Sequence, residues 1–332
     1  MKHNQLYFKP LIKNATLQTI LGGALGRAKV PKYFREYVNI SENDKLLLDI
    51  STPKNWNQFD YSVVMIHGLC GCSESEYLLR MTNLFLEINL RVIRVSLHGQ
   101  GDSLKLHSKS IYHGGSSVDI EKVFRYIANK TPNSPMIGIG FSLSGNIILK
   151  MLSKIKSTMP LLDYVISVCP SLDLKDSSKR INKGANKIFE KYFIKLCIKM
   201  AERRFHEFDE IKNIPDLNKK MSLYQFDDIY TSREAGYKNA DDYYKAASSI
   251  NTLDSITIKT DILVALDDPL IDNRKVLKLD VPKNIRINYT EYGGHMGYLE
   301  WPFGKRWLDN QLLSWVKSHI ISNKLKNINK FK

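Results

Sequence analysis

The sequence predicts an α/β fold: a mostly parallel central sheet with helices on both faces and a helical insertion. Three observations carry this. Short apolar runs alternate with amphipathic helical stretches along the chain. Those runs are apolar on successive residues, as strands buried on both faces must be. A long stretch, residues 171–250, interrupts the alternation without adding a strand.

The elements follow in order. "REYVNIS" and "KLLLDIST" flank the polar "ENDK" and read as a hairpin. "YSVVMIHG" (61–68) is an apolar strand ending in glycine. "SESEYLLRMTNLFLEIN" is the next helix, with Ser73 as its cap and Leu78, Met81, Leu84 and Phe85 at helical spacing. "RVIRVSLHG" (91–99) is a strand, "VDIEKVFRYIANK" a helix, "PMIGIGFS" a strand, "LSGNIILKMLSKI" a helix and "YVISVCP" a strand. After the insertion, "DILVALDD" (261–268) and "IRINYTEY" (285–292) read as strands, and "WPFGKRWLDNQLLSWVKSHI" as a closing helix. The division expected is one domain over 1–332, with 171–250 a helical lid inserted in it.

With 332 residues, 43% hydrophobic and 25% charged, the chain has the make-up of an ordinary globular protein. No apolar run approaches the about 20 residues needed to cross a bilayer. The N-terminal apolar patch is broken by Lys13, Asn14, Gln18 and Thr19, which makes a poor secretory signal, so a cytoplasmic location is expected. Cys70, Cys72, Cys169 and Cys197 are too few and too scattered for a disulfide scaffold or a metal site, and free thiols are expected. The net charge is +15, but lysine outnumbers arginine 36 to 13. Bidentate contacts to bases and phosphates favour arginine. With no Walker sequence, zinc finger or aromatic-basic RNA motif, nucleic acid is not the expected partner.

In a parallel sheet, functional groups gather at the carboxyl ends of the strands. There the chain places "HGLCG", "LHGQGDS", a serine within "GFSLSGN", "DDPL" and "GGHMG". Ser142, an aspartate (Asp267 or Asp268) and His295 therefore occur in the order Ser, Asp, His, each after a predicted strand. A serine hydroxyl becomes nucleophilic when a histidine takes its proton, and an aspartate fixes the imidazole tautomer. Two backbone amides must face the developing oxyanion; the residue after the nucleophile, Leu143, and the loop residue Leu69 are the candidates. Taken alone, Ser142 reads equally as a helix cap and His295 as a turn residue; together they read as a site. Asp268, followed by Pro269, is the better-placed acid and Asp267 a structural cap. His67, His98 and His113 read as loop-holding residues, since none follows the last strand.

At these residues the chain resembles the YheT-like branch of the α/β-hydrolase superfamily, which also includes the eukaryotic ABHD proteins with esterase and phospholipase activities. The likeness runs over nearly the whole chain. "FKPLIKNATLQTIL" is similar to the family's Asn-x-His-Leu-Gln-Thr segment, with Thr16 for the histidine. "HGLCGCSESEYL" resembles its His-Gly-Leu-x-Gly-Ser stretch, and "SLHGQGDS" its Asn-x-Arg-Gly-x-Gly loop, with Ser96 and His98 replacing Asn and Arg. "IYHGG", "QFDDIYTSREAGYKNADDYYKAAS" (225–248) and "GGHMGYLE" (293–300) are also close to the family pattern. The resemblance implies Ser142 as nucleophile, Asp268 as acid and His295 as base. The activity expected is hydrolysis of carboxylic esters, acyl or lipid-like, through an acyl-enzyme and without metal or organic cofactor. A thioesterase or phospholipase on the same triad, or a silent hydrolase fold used for binding, are the alternatives.

Two features depart from the simplest pattern. Ser144 stands where a nucleophile elbow has its last glycine; a small residue there avoids the strand, so tolerance with a local shift is expected. The rival register, with Ser144 as nucleophile, is flanked by Ser142 and Asn146 and fails the steric requirement. In the insertion, Lys187, Lys191, Lys195, Lys199 and Arg203 recur every four residues beside a face of Ile188, Tyr192, Leu196, Met200, Phe189, Phe193 and Cys197. Such a helix (185–205) could rest on an anionic membrane surface; the favoured expectation is a lid helix with its apolar face over the pocket and solvated lysines outside.

Overall fold

The nucleophile candidate is placed by a close strand-to-helix contact, and two glycines permit it. On the strand Met136–Phe141, a Cβ at Gly138 would lie 2.8 Å from Ile148 Cδ1 and one at Gly140 only 2.4 Å from the Ser144 carbonyl oxygen. A side chain at Gly140 would push the following helix off the sheet, and one at Gly138 would displace the Ile148 and Phe124 side chains. The structure, a computed structural model, describes residues 3–102, 108–155, 162–208, 215–302 and 305–330.

Along the chain the elements are β1 (His3–Gln5), α1 (Ala15–Ala24), β2 (Phe34–Asn39), β3 (Lys45–Ser51), β4 (Ser62–Ile66), α2 (Glu76–Glu87), β5 (Arg91–Ser96), α3 (Ser117–Lys130), β6 (Met136–Phe141), α4 (Leu143–Lys154) and β7 (Leu162–Val168). The insertion contributes α5 (Leu174–Ile181), α6 (Lys187–Glu207), α7 (Leu223–Phe226), α8 (Ser232–Glu234) and α9 (Ala240–Ala247). Then come β8 (Lys259–Ala265), α10 (Asn273–Val276), β9 (Ile285–Thr290), β10 (Leu299–Glu300), β11 (Lys305–Arg306) and α11 (Trp307–Lys330).

Nine strands form one sheet in the order β1-β9-β8-β7-β6-β4-β5-β3-β2. Neighbours from β1 through β5 pair in parallel; β3 pairs antiparallel with both β5 and β2. The expected hairpin is present, with Phe34 opposite Ile50 and Asn39 opposite Lys45. Alternate residues of one strand feed opposite cores, as a period of two requires. Val64 and Ile66 pack with α3 and α4 through Ile120, Phe124 and Ile148. Val63 and Met65 pack with α2 and α11 through Phe85, Leu312 and Val316. Each such side chain contributes about 1.5–3 kcal/mol on burial.

Several local expectations shift. Ser73 does not cap α2: Ser75 is its N-terminal flank, and the Ser73 hydroxyl donates instead to buried Asp49 (2.6 Å). The closing helix begins at Trp307 rather than Trp301, because residues 305–306 pair with β10 as β11. Strand β1 and helix α1 carry no clear sequence signal. Three residues are too few to display a period, and α1 ("ATLQTILGGA") holds two glycines that weaken helix propensity. On α6 the predicted basic residues are all exposed, but the apolar face is narrower than expected. Ile188 (53%) and Tyr192 (58%) are also exposed, while Phe189, Ile194, Cys197, Ile198 and Ala201 are buried. The last four pack with Ile111, Phe226 and Tyr230, so tertiary neighbours select the stripe. Ser103 of "SLHGQGDS", residues 209–214 of the insertion and 303–304 of the predicted closing helix lie outside the described residues. Among the described residues, no helix is long and apolar enough to cross a membrane.

Candidate active site

Ser142 sits in the single step between β6 and α4 with φ 53° and ψ −116°, a backbone state that L side chains rarely adopt. Such a conformation costs of order 1–3 kcal/mol and persists where its surroundings over-determine it. Here the Ser142 amide donates to the Val168 carbonyl (2.8 Å), and Gly140 and Gly145 admit close neighbours on either side. A Cβ at Gly145 would lie 2.8 Å from Ser167 Oγ and 3.0 Å from Pro170 Cβ.

The hydroxyl of Ser142 lies 2.8 Å from His295 Nε2, and His295 Nδ1 lies 2.8 Å from Asp268 Oδ2. The other carboxylate oxygen of Asp268 accepts the amides of Leu270 (2.8 Å) and Ile271 (3.2 Å). The structure thus brings Ser142, His295 and Asp268 into one hydrogen-bonded chain. The carboxylate holds the proton on Nδ1, which leaves Nε2 as acceptor of the serine proton. Asp267 points elsewhere, accepting the Gly294 amide (2.9 Å), and burial pushes its carboxyl up to about 6. Ser144 is fully buried and donates to the His67 carbonyl, so it faces away from the imidazole.

That last bond links the elbow to the loop after β4. A Cβ on Gly68 would lie 3.2 Å from Ser142 Cβ, so the loop abuts the serine. The amide of Gly68 donates to the Tyr77 hydroxyl (2.9 Å), that of Cys70 to the Tyr112 hydroxyl (2.5 Å) and that of Gly71 to the Gly68 carbonyl (3.1 Å). Among the described residues, the remaining amide of this turn, that of Leu69, has no hydrogen-bond acceptor. Leu143 is the first residue of α4, where amides have no intrahelical partner and the helix dipole favours negative charge. Both leucines line the same cavity as Ser142 and His295.

His67, His98 and His113 hold loops. Fully buried His67 donates from Nδ1 to the Gly68 carbonyl (2.7 Å) and accepts the Leu97 amide at Nε2 (3.1 Å); burial pushes its pKa down to about 4. His98 contacts the Ser108 hydroxyl (2.9 Å) and Asp119 (3.4 Å). His113 accepts the Gly115 amide at Nδ1 (3.1 Å).

Sequence reasoning missed the support for His295. Helix α1 clasps the histidine loop: Thr19 accepts the His295 amide (2.9 Å) while donating to Ala15 (2.8 Å). The side-chain amide nitrogen of fully buried Gln18 donates to the Leu299 carbonyl (3.0 Å), and its side-chain oxygen accepts the Leu299 amide (2.8 Å). The backbones approach so closely that a Cβ on Gly297 would sit 2.2 Å from the Gln18 carbonyl oxygen. The available signal was the "NATLQT" segment itself, polar residues embedded in an apolar stretch. Asn146 was also missed: it donates to the carbonyls of Gly114 (3.1 Å) and Ala247 (2.9 Å) and accepts the Ser249 amide (2.8 Å), fixing the end of the insertion onto α4.

The cavity over Ser142 measures about 100 Å³. Its wall is mainly apolar, with Ile111, Leu174, Ile181, Phe193, Met200 and Phe226 among its residues, most of them from the insertion. Among the described residues, no group of three or more His, Cys, Asp or Glu side chains could hold a metal ion.

A family model for the alpha/beta hydrolase fold matches residues 61–301, and the chain belongs to that family. Within it the chain lies in the YheT-like branch. It is 26% identical over 316 residues to YheT of Escherichia coli (strain K12), which carries the name of an esterase; the match covers 92% of this chain and 91% of that protein. It is 25% identical over 314 residues to phospholipase ABHD3 of Homo sapiens, covering 91% of this chain and 76% of that one. Among solved structures, an esterase of Pyrococcus furiosus superposes with TM-score 0.58 at 15% identity, covering 89% of this chain and 94% of the other. That likeness is one of fold.

Proposed function

We propose that this protein is a serine hydrolase acting on carboxylic esters with an acyl or lipid-like part. The observation that carries the reading is the hydrogen-bonded chain Ser142–His295–Asp268 at the floor of an apolar cavity. Ser142 attacks the ester carbonyl as His295 Nε2 takes its proton. Asp268 stabilises the imidazolium through Nδ1. The amides of Leu69 and Leu143 receive the oxyanion, each donor contributing about 3 kcal/mol in the transition state. His295 then returns the proton to the leaving alcohol, and water, deprotonated by the same nitrogen, releases the acid from Ser142. Residues 171–250 act as a lid, since they supply most of the residues of the cavity wall. The apolar wall and the phospholipase and esterase names of relatives support an acyl substrate.

A fluorophosphonate probe should label Ser142, and p-nitrophenyl acyl esters should be turned over by the natural protein and not by Ser142→Ala. Labelling at Ser144, or none on the folded protein, refutes the assignment. Contact with an anionic membrane surface is a second reading, favoured by exposed Ile188 and Tyr192 beside Lys187, Lys191 and Lys195. Flotation with phosphatidylglycerol liposomes at low salt tests it; no binding removes it.

A further inference from the structure

We propose that Cys70 and Cys197 are a modification site, joined as a disulfide when the protein meets a small hydroperoxide, so that the loop carrying Leu69 is tied to helix α6. The two sulfurs lie 3.6 Å apart although the residues are 127 positions apart in the chain. They are free thiols in van der Waals contact. A disulfide bond is ~2 Å long, so the two sulfurs have to approach by about 1.6 Å to form one.

The surroundings suit the reaction. Cys197 is 2% exposed but lines the cavity over Ser142, which gives a small peroxide a route to the pair. Cys70 is half-buried on a turn with φ 56°, its amide pinned by Tyr112. Cys70 is the more exposed of the two, so it is the first to be oxidised; the hydrogen bond with Cys70, together with burial, pushes the Cys197 thiol up. The other cysteines are placed differently. Cys72 packs against Gly101, and Cys169 is fully buried, 4.0 Å from the Tyr298 hydroxyl; among the described residues neither touches another sulfur.

The chemistry balances with the peroxide as two-electron oxidant. The Cys70 thiolate attacks the terminal oxygen, the O–O bond breaks, and the alkoxide (or hydroxide) takes a proton; Cys70 becomes a sulfenic acid. The Cys197 sulfur then attacks the Cys70 sulfur. The S–O bond breaks, hydroxide leaves with the Cys197 proton as water, and the S–S bond forms. The bond itself stands apart from the proposed ester hydrolysis. Its consequence rests on that reading: Leu69 adjoins Cys70, so the link constrains a proposed oxyanion amide.

The test treats the full chain with hydrogen peroxide, alkylates it under denaturing conditions and maps the peptides by mass spectrometry. The expected result is a linked Cys70–Cys197 peptide, absent after dithiothreitol, with Cys72 and Cys169 alkylated. Cys197→Ser should give no link and leave a sulfenic acid on Cys70 that dimedone traps. Free Cys70 and Cys197 after peroxide, a Cys70–Cys72 link, or sulfinic acid without a link overturns the site. Turnover of a p-nitrophenyl ester should fall at least several-fold in the linked protein and return with dithiothreitol. A linked protein with unchanged turnover overturns the consequence for the loop, and absence of turnover in the reduced natural protein overturns the proposed function instead.

Discussion

Replacing Ser144 by alanine separates the two ways of viewing the altered elbow. The side chain is 0% exposed and its hydroxyl donates to the His67 carbonyl, one residue before the Gly68 that abuts Ser142. Alanine keeps the volume of the β-carbon and removes only the donor. Leaving a buried acceptor without its partner costs about 1–3 kcal/mol. For a chain of this size that corresponds to a fall in Tm of about 1–2 °C per kcal/mol. The same bond sets the position of the loop amide at Leu69 relative to the serine. A displacement well short of 1 Å is enough for a tenfold loss of kcat, since about 1.4 kcal/mol is a factor of ten and a 1 Å misplacement reaches about a hundredfold. Thermal unfolding followed by circular dichroism, together with steady-state kinetics on one short p-nitrophenyl ester, reads both effects. The expected outcome is a lower Tm and a roughly tenfold lower kcat at nearly constant KM. Ser144→Gly should fare no better, because it also loosens the first turn of α4. If Ser144→Ala matches the natural protein in both measurements, the hydroxyl is a spectator and the coupling of elbow to loop is wrong.

Four further outcomes follow from the site. Thr19→Val removes the acceptor of the His295 amide and should lower kcat about tenfold with little change in KM, while Thr19→Ser restores it; equal activity in Thr19→Val refutes the clasp. Asp268→Asn should lower kcat by about 10³–10⁴-fold through the wrong imidazole tautomer, whereas Asp267→Asn should stay within a few-fold. Burial raises the Asp267 carboxyl from 3.8 to about 6, so its ionisation opposes folding increasingly between those two values and fully above them; Asp267→Asn should gain stability at pH 8 and lose the gain by pH 4, as denaturant titrations at the two pH values would read. His67 is held neutral, its pKa lowered to about 4 by burial, and a second ring proton would also face the Leu97 amide proton. The unfolded chain binds that proton first, so folding stability should fall by about 3 kcal/mol as pH drops from 6.5 to 4, and His67→Gln should flatten that part of the curve.

Much of the fold is legible because its signals are local. Continuous apolar runs such as "VVMI" and "MIGIG" need burial on both faces, and the glycines of the strand-end loops permit turns that other residues resist. The sequence alone therefore determines the parallel sheet, the hairpin at its edge, and the gathering of Ser142, an aspartate and His295 at the strand ends. Other features depend on partners far along the chain. Asp267 and Asp268 are adjacent and chemically equal; only the packed loop sends one carboxylate to His295 and the other to Gly294. The Thr19–His295 bond spans 276 positions, and nothing within "NATLQT" names its partner. Helix α6 carries apolar residues on more than one stripe, and Phe226 and Tyr230 decide which one is buried. Ser144 looked like a defect because the motif records only size; the structure supplies a carbonyl in reach, and a hydroxyl is satisfied only by what stands opposite it.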